Sequence, residues 1–267
     1  MTTVLAPAKL TVSLRVTGVR ADGYHELDAE MVSLDLADEL VFEDAQGPTS
    51  LVLEARPWIR TDGLPTTEEN LVSRALAACG RTARVRLTKR IPLGGGLGGG
   101  SADAAATLRW AGCADLALAA RLGADVPFCL VGGRARVEGI GEQVTPLAFV
   151  ARDYLLLLPP FGVDTGAVYR AFDEGARSED PTNDLTAAAL AVEPRLAAWR
   201  DAFADRIGRT PMLAGSGSTW FVEGVPEDLG ALGREGIRLG REVAWLVGTR
   251  AVPAAWGGDG GAEEAEG

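Results

Sequence analysis

Six glycines fall within seven positions, Gly94-Gly95-Gly96-Leu97-Gly98-Gly99-Gly100, and run straight into Ser101-Ala102-Asp103-Ala104-Ala105-Ala106. Glycine lets the backbone take positive φ angles and exposes its N–H groups, and a helix opening at Ser101 adds the positive end of its dipole. That is a place to hold phosphate. Tyr24 and His25 follow directly on Asp22-Gly23. A π-face beside an imidazole that can both donate and accept is equipment for reading a flat heterocycle. Two ionisable groups stand apart as well, Lys9 in an alternating stretch and Asp125 in Gly123-Ala124-Asp125-Val126-Pro127. Of the 26 Lys and Arg residues only Lys9 and Lys89 are lysine, and His25 is the single histidine. A chain that otherwise chooses arginine keeps these exceptions next to the features just named.

The elements that must position these groups follow from periodicity. Over residues 4–16, Ala6, Ala8, Leu10, Val12, Leu14 and Val16 alternate with Lys9, Thr11, Ser13 and Arg15, as on a half-buried strand. Lys9 is expected on the polar face, where a solvated lysine is the commonplace reading. Asp22-Gly23 predicts a hairpin turn. Strands are expected over 27–43, 49–55 and 84–88, and a helix over 70–78 behind the start signals Glu68, Glu69 and Asn70. After the glycine run, a helix capped by Ser101, with Asp103 toward its positive end, is stopped by Gly112. A second helix over 115–122 closes at Gly123, and Pro127 opens another turn, so that Asp125 taken alone reads as an ordinary helix N-terminal acid. Strands over 134–138, 143–150 and 154–159 follow. A helix over 165–172 places Thr165 and Tyr169 on one side, with ordinary packing as the default for both. Asn183-Asp184-Leu185 opens a helix, 196–203 carries an amphipathic pattern, and Gly215-Ser216-Gly217-Ser218 makes a second glycine turn before a strand. A helix over 228–236 and a strand over 243–247 complete the pattern.

The 267 residues suffice for one large domain or two small ones. No stretch approaches the ~18 apolar residues of a membrane span, and the N-terminus lacks a basic-then-apolar signal layout. A cytoplasmic protein is expected. Cys79, Cys113 and Cys129 are odd in number and irregularly spaced, which suits reduced thiols rather than a disulfide framework or a zinc site. The net charge of −11 argues against a nucleic-acid partner. Part of it lies in the acidic, glycine-rich tail 257–267, expected to be disordered.

Three chemistries compete for the loop. A Walker loop ends in Gly-Lys-Ser/Thr, but here the end is Gly100-Ser101-Ala102, without lysine. Gly94, Gly96 and Gly99 fit G-x-G-x-x-G, yet the second strand and its acid about twenty residues on are replaced by two helical patterns. A flexible linker is opposed by the regular patterns abutting the loop on both sides.

The stretch Pro92-Leu93-Gly94-Gly95-Gly96-Leu97-Gly98-Gly99-Gly100-Ser101-Ala102 resembles the ATP loop of the galactokinase, homoserine kinase, mevalonate kinase and phosphomevalonate kinase superfamily (GHMP kinases). Its wording is most similar to the 4-diphosphocytidyl-2-C-methyl-D-erythritol kinase family. Pro7-Ala8-Lys9-Leu10, Asp22-Gly23-Tyr24-His25, Gly123-Ala124-Asp125-Val126-Pro127 and Leu213-Ala214-Gly215-Ser216-Gly217-Ser218 extend the likeness in the family's order. The resemblance implies a two-lobed α+β fold of the GHMP-kinase type. Its N-terminal ribosomal-protein-S5-like α/β lobe would span residues 1–150 and bind ATP, and its C-terminal ferredoxin-like α+β lobe would span 151–256.

The resemblance also implies that the loop from Pro92 to Ala102 wraps the phosphates of ATP. Asp125 would be the base toward the substrate hydroxyl, and Lys9 would hold Asp125 ionised and steady the transferring group. His25 would bond the cytosine edge, Tyr24 and Tyr169 would stack on its faces, and Thr165 and Thr11 would lie toward the methylerythritol. Mg²⁺ would come with ATP, since the sequence has no metal-ligand cluster of its own. The partners would be small molecules, without nucleic acid or membrane, and the protein a monomer or homodimer. Thr11 stands where the family commonly has Asn, and residues 112–125 are shorter than usual. Two alternatives stand beside this reading. A sister kinase for homoserine or a mevalonate-type substrate would leave Asp22-Gly23-Tyr24-His25 without a purpose. Against a catalytically silent nucleotide-binding relative stand Lys9 and Asp125.

Overall fold

The computed structural model describes the chain except residues 57–58, 60–63, 179, 225–235, 255 and 258–267. Strands β1 (Thr2–Val19) and β2 (His25–Asp44) form a long antiparallel hairpin. Its turn uses Asp22-Gly23: Gly23 takes φ +86°, and the Asp22 carboxylate accepts the Tyr24 N–H at 3.3 Å. Strand β3 (Ser50–Ala55), helix α1 (Leu71–Ala78) and strand β4 (Ala83–Lys89) make a crossover unit, β3 and β4 pairing in parallel. Asn70 caps α1 by accepting the Val72 N–H at 2.9 Å. Helices α2 (Gly99–Trp110), α3 (Leu116–Leu122) and α4 (Val126–Val131) follow, then strands β5 (Arg134–Gly139) and β6 (Gln143–Pro146). The strand expected to reach residue 150 therefore stops at Pro146. The next N–H, of Leu147, turns to the Arg134 carbonyl at 2.8 Å.

The second half comprises β7 (Asp153–Leu158), α5 (Thr165–Asp173), α6 (Thr186–Val192), α7 (Arg195–Ile207), β8 (Met212–Leu213), β9 (Trp220–Glu223), β10 (Ile237–Leu239) and β11 (Glu242–Val252). The helix expected from residue 228 and the tail from 258 lie outside the described residues. β10 has no counterpart in the periodicity, being three residues that pair with β11. β11 runs well past the expected 243–247 because it serves two sheets. Trp245 to Arg250 pair with β7, then Ala251 and Val252 pair with Leu34 and Ser33 of β2. The path β3-β4-β2-β11-β7-β9-β8 thereby joins two lobes.

Helix α2 is apolar on nearly every side, as a helix sunk between other elements must be. Ala102, Ala104, Ala105, Ala106 and Leu108 are buried, the small side chains letting β1 and the flanking helices approach closely. Two expectations about α2 are corrected. It begins at Gly99, not Ser101, because Gly98 takes φ +66° and closes the first turn, its carbonyl accepting the Ala102 N–H at 2.8 Å. Ser101 is therefore no cap. Asp103, beyond the first turn, is buried and faces Lys89 at 2.7 Å instead of the dipole.

Candidate active site

The segment between β4 and α2 is tied down through its carbonyls. Leu97 is buried and its carbonyl accepts the Lys9 N–H at 3.0 Å. The Gly94 carbonyl accepts N–H groups of Val163 at 3.0 Å and Ser218 at 3.2 Å, and that of Gly95 accepts Thr219 at 3.2 Å. Both lobes thus hold the loop. Glycine is required at Gly96, where φ is +75° and a Cβ would lie 2.2 Å from the Ala214 carbonyl oxygen. With the carbonyls so engaged, the N–H groups of Gly98, Gly99, Gly100 and Ser101 have no acceptor among the described residues. These are the four orphan donors of a helix N-terminus, and they fit an anion.

Behind the loop sits a buried charge cluster that the sequence reading did not group. Lys89 at the end of β4 donates to Asp38 of β2 and, at 2.7 Å, to Asp103 of α2. Asp38 also accepts the N–H groups of Arg90 and, at 2.9 Å, Ile91. One cluster therefore fixes the entry of the loop and the helix that leaves it. Burial alone would neutralise the Lys89 ammonium, but the Asp103 and Asp38 carboxylates outweigh it and hold Lys89 above its ordinary value.

Lys9 is not the solvated strand lysine that alternation suggests. Its side chain is 8% exposed, because Asp125 at the head of α4 and the glycines Gly98 and Gly215 close over this part of β1. Its Nζ donates to the Thr11 hydroxyl at 3.1 Å and lies 3.3 Å from Asp125 Oδ2. Asp125 heads α4 but makes no side-chain bond to that helix, leaving its carboxylate for Lys9. Cys129, one turn on, is buried, its thiol pushed up to about 12, so it stays a neutral packing group. Among the described residues all three cysteines are free.

Tyr24 reaches the same cavity with 60% of its surface exposed. His25 lies across the Tyr169 ring at 4.6 Å between centroids and 28° between planes, and Phe172 meets it edge-on at 6.1 Å. Its Nε2 is 2.8 Å from Asp173 Oδ1. Burial, and to a lesser degree the Asp125 charge, raise the Tyr169 phenol, which stays protonated. The Thr165 and Ser216 hydroxyls bond at 2.9 Å. The second glycine turn is held from beneath by Asn183, buried, whose Nδ2 donates to the carbonyls of Leu213 at 2.9 Å and Gly215 at 2.7 Å. Asp173 and Asn183 are additions to the residues picked out by sequence, Asn183 having appeared there only as a helix opener and Asp173 not at all, while Ser216 lies within the glycine turn already singled out.

Lys9, Thr11, Tyr24, His25, Asp125, Thr165 and Tyr169 thus line, with the loop, one cavity of about 680 Å³. No group of three or more His, Cys, Asp or Glu side chains among the described residues could hold a metal ion.

Residues 70–133 match the family model for the GHMP kinases N terminal domain. Over 239 residues the chain is 39% identical to a 4-diphosphocytidyl-2-C-methyl-D-erythritol kinase of Paracoccus denitrificans, covering 81% of this chain and 84% of that one. A Cereibacter sphaeroides protein of the same name is 36% identical over 282 residues, 94% of this chain and 99% of that one. The fold superposes on a crystal structure of 4-(cytidine 5'-diphospho)-2C-methyl-D-erythritol kinase with a TM-score of 0.68 at 33% identity, covering 94% of this chain and 100% of that one. The two-lobed α+β architecture, the loop motif and this near full-length likeness place the chain in one group: it belongs to the 4-diphosphocytidyl-2-C-methyl-D-erythritol kinase family of the GHMP kinases.

Proposed function

We propose that this chain transfers the γ-phosphoryl group of ATP to the 2-hydroxyl of 4-diphosphocytidyl-2-C-methyl-D-erythritol, a step of non-mevalonate isoprenoid synthesis. The observation that carries the mechanism is the Lys9–Asp125 pair, 3.3 Å apart, in the cavity lined by the open N–H row of the glycine loop. Residues 92–102 cradle the triphosphate, the open N–H groups of Gly98, Gly99, Gly100 and Ser101 donating to it without further reorganisation. Mg²⁺ arriving with the nucleotide would supply charge neutralisation at the phosphates, the described residues offering no side-chain metal cluster of their own.

Phosphoryl transfer has a loose transition state, so the acceptor oxygen needs orientation and a late proton acceptor more than a strong base. Asp125 fills that role, its free oxygen turned to the acceptor hydroxyl. Lys9, held by Thr11, stands as the counter-ion of Asp125 and offsets charge on the transferring group. Tyr24, His25 and Tyr169 receive the cytosine, with Thr165 and Thr11 toward the methylerythritol. Residues 1–150 form the nucleotide lobe and 151–256 the second lobe of this machine. No helix among the described residues is long and apolar enough to cross a membrane, and we take the reaction to run in the cytoplasm on small molecules alone.

An ADP-release assay with the cytidine conjugate, homoserine and mevalonate side by side tests this. Turnover with the conjugate alone is the expected result. Turnover with homoserine or mevalonate instead would replace the reading with that of a sister kinase.

A further inference from the structure

We infer that Asp173 is a positioning residue that sets base preference: it holds the His25 proton on Nε2 and leaves the Nδ1 lone pair to accept from an exocyclic amino group. This rests on the reading of the cavity as a cytidine site.

The imidazole is fixed on three sides by one helix. Tyr169, Phe172 and Asp173 fall on one face of α5, giving the ring a floor, an edge and an acceptor. The ring therefore cannot rotate freely to exchange its nitrogens. A carboxylate accepts only, so the nitrogen 2.8 Å from Asp173 Oδ1 must carry hydrogen. In the neutral ring the other nitrogen is then an acceptor. Nδ1 has no hydrogen-bond partner among the described residues, and the ring lines the cavity. An amino group, as at C4 of cytosine, can donate to that lone pair. The carbonyl oxygen at C4 of uracil presents a second lone pair and is repelled.

Helix stability does not account for Asp173. It is the last residue of α5, where the dipole disfavours negative charge, and it is half exposed. Its bond to His25 spans 148 residues of sequence, and nothing local calls for an acid there.

Since His25 is the only histidine, the chain labelled with ¹⁵N-histidine gives a single imidazole signal, recorded at about pH 8, above the ordinary imidazole pKa of ~6.5. The wild type is expected to show the Nε2–H tautomer, and Asp173→Ala a mixture. In the same proteins, kcat/KM for the cytidine conjugate relative to its uridine analogue should fall roughly 10-fold in Asp173→Ala and recover in Asp173→Glu, with the loss falling more on KM than on kcat. An Nδ1–H tautomer in the wild type, or an unchanged base preference in Asp173→Ala, would overturn the inference. Wild-type protein inert toward the cytidine conjugate would instead overturn the functional reading, and base preference with it. The imidazole signal reads the hold of Asp173 on the proton separately from turnover.

Discussion

Asp125 stands at the head of α4 yet gives its carboxylate to Lys9, 3.3 Å away, and not to the helix's own N–H groups. An ordinary helix acid would have done the reverse. The pair joins two elements remote in sequence, and its members differ in exposure, 8% for the Lys9 side chain and 31% for that of Asp125. The lysine is thus a fixed group in the cavity wall, and the carboxylate the half of the pair that a ligand can reach.

Asp125→Ala and Lys9→Ala are each expected to lower kcat by about 10²–10⁴-fold. Asp125→Ala loses no cap bond but leaves the buried Lys9 ammonium without its carboxylate, so its thermal midpoint should fall modestly. Full activity in purified Asp125→Ala protein would sink the mechanism.

Gly96→Ala and Gly100→Ala separate the loop's geometry from its composition. At Gly96 the added methyl meets the Ala214 carbonyl oxygen at 2.2 Å on a backbone with φ +75°, whereas at Gly100 it meets only Leu71 Cδ1, at 3.4 Å. Gly96→Ala should raise the KM for ATP about 10-fold or more and lower the melting temperature, by ~2–4 °C for each kcal/mol lost. Gly100→Ala should melt at or above the wild-type temperature, alanine being the better helix former by about 1 kcal/mol. Equal melting losses in both would show that the approach to Ala214 is not what demands glycine.

Lys89→Met leaves the Asp38 and Asp103 carboxylates buried without their cation, and should destabilise the protein by about 3–5 kcal/mol. The sign of its pH dependence follows from the raised Lys89 value. Folded Lys89 keeps its proton to higher pH than an unfolded lysine, so its contribution is complete below ~10.4 and disappears as pH climbs through the folded value. Melting curves should therefore show the gap between wild type and Lys89→Met closing above about pH 10. A gap that widens there would contradict the assignment.

Asn183→Ala removes the donor shared by the Leu213 and Gly215 carbonyls and the acceptor of the Leu185 N–H, which is 2.9 Å from Oδ1. A loss of about 1–3 kcal/mol is expected for each group left buried without a partner. A fall in kcat should accompany it, since Gly215 lies against Lys9 and Thr11. Urea unfolding monitored beside steady-state kinetics would show both; a kinetically silent variant would confine Asn183 to stability.

Local pattern was enough to find most strands and helices, the glycine loop and the Asp22-Gly23 turn, because each depends on neighbours a few residues apart. Burial of the polar face of β1 was not legible. Alternation reports which side a residue takes, and not what later covers that side, so alternation alone left Lys9 solvated and only the resemblance gave it a role. The start of α2 was misplaced because a serine is a strong cap signal, while the αL turn at Gly98 leaves no mark beyond one more glycine in a run of them. The Lys89–Asp38–Asp103 cluster and the Asp173–His25 bond assemble groups far apart in sequence, and no periodicity relates such positions.

β2 is paired along one edge by β1, while its other edge is shared by β5 over Leu27 to Val32, β11 at Ser33 and Leu34, and β4 over Glu39 to Asp44. The middle portion of that edge is filled by Ala251 and Val252, among the last described residues to be synthesised. On the ribosome, the lobe built around β1 and β2 must therefore emerge with a gap along β2, flanked by paired backbone on both sides. Only when the second lobe has been made does its closing strand reach back and seal it. The glycine loop waits in the same way, because the N–H groups that hold its Gly94 and Gly95 carbonyls belong to Val163, Ser218 and Thr219.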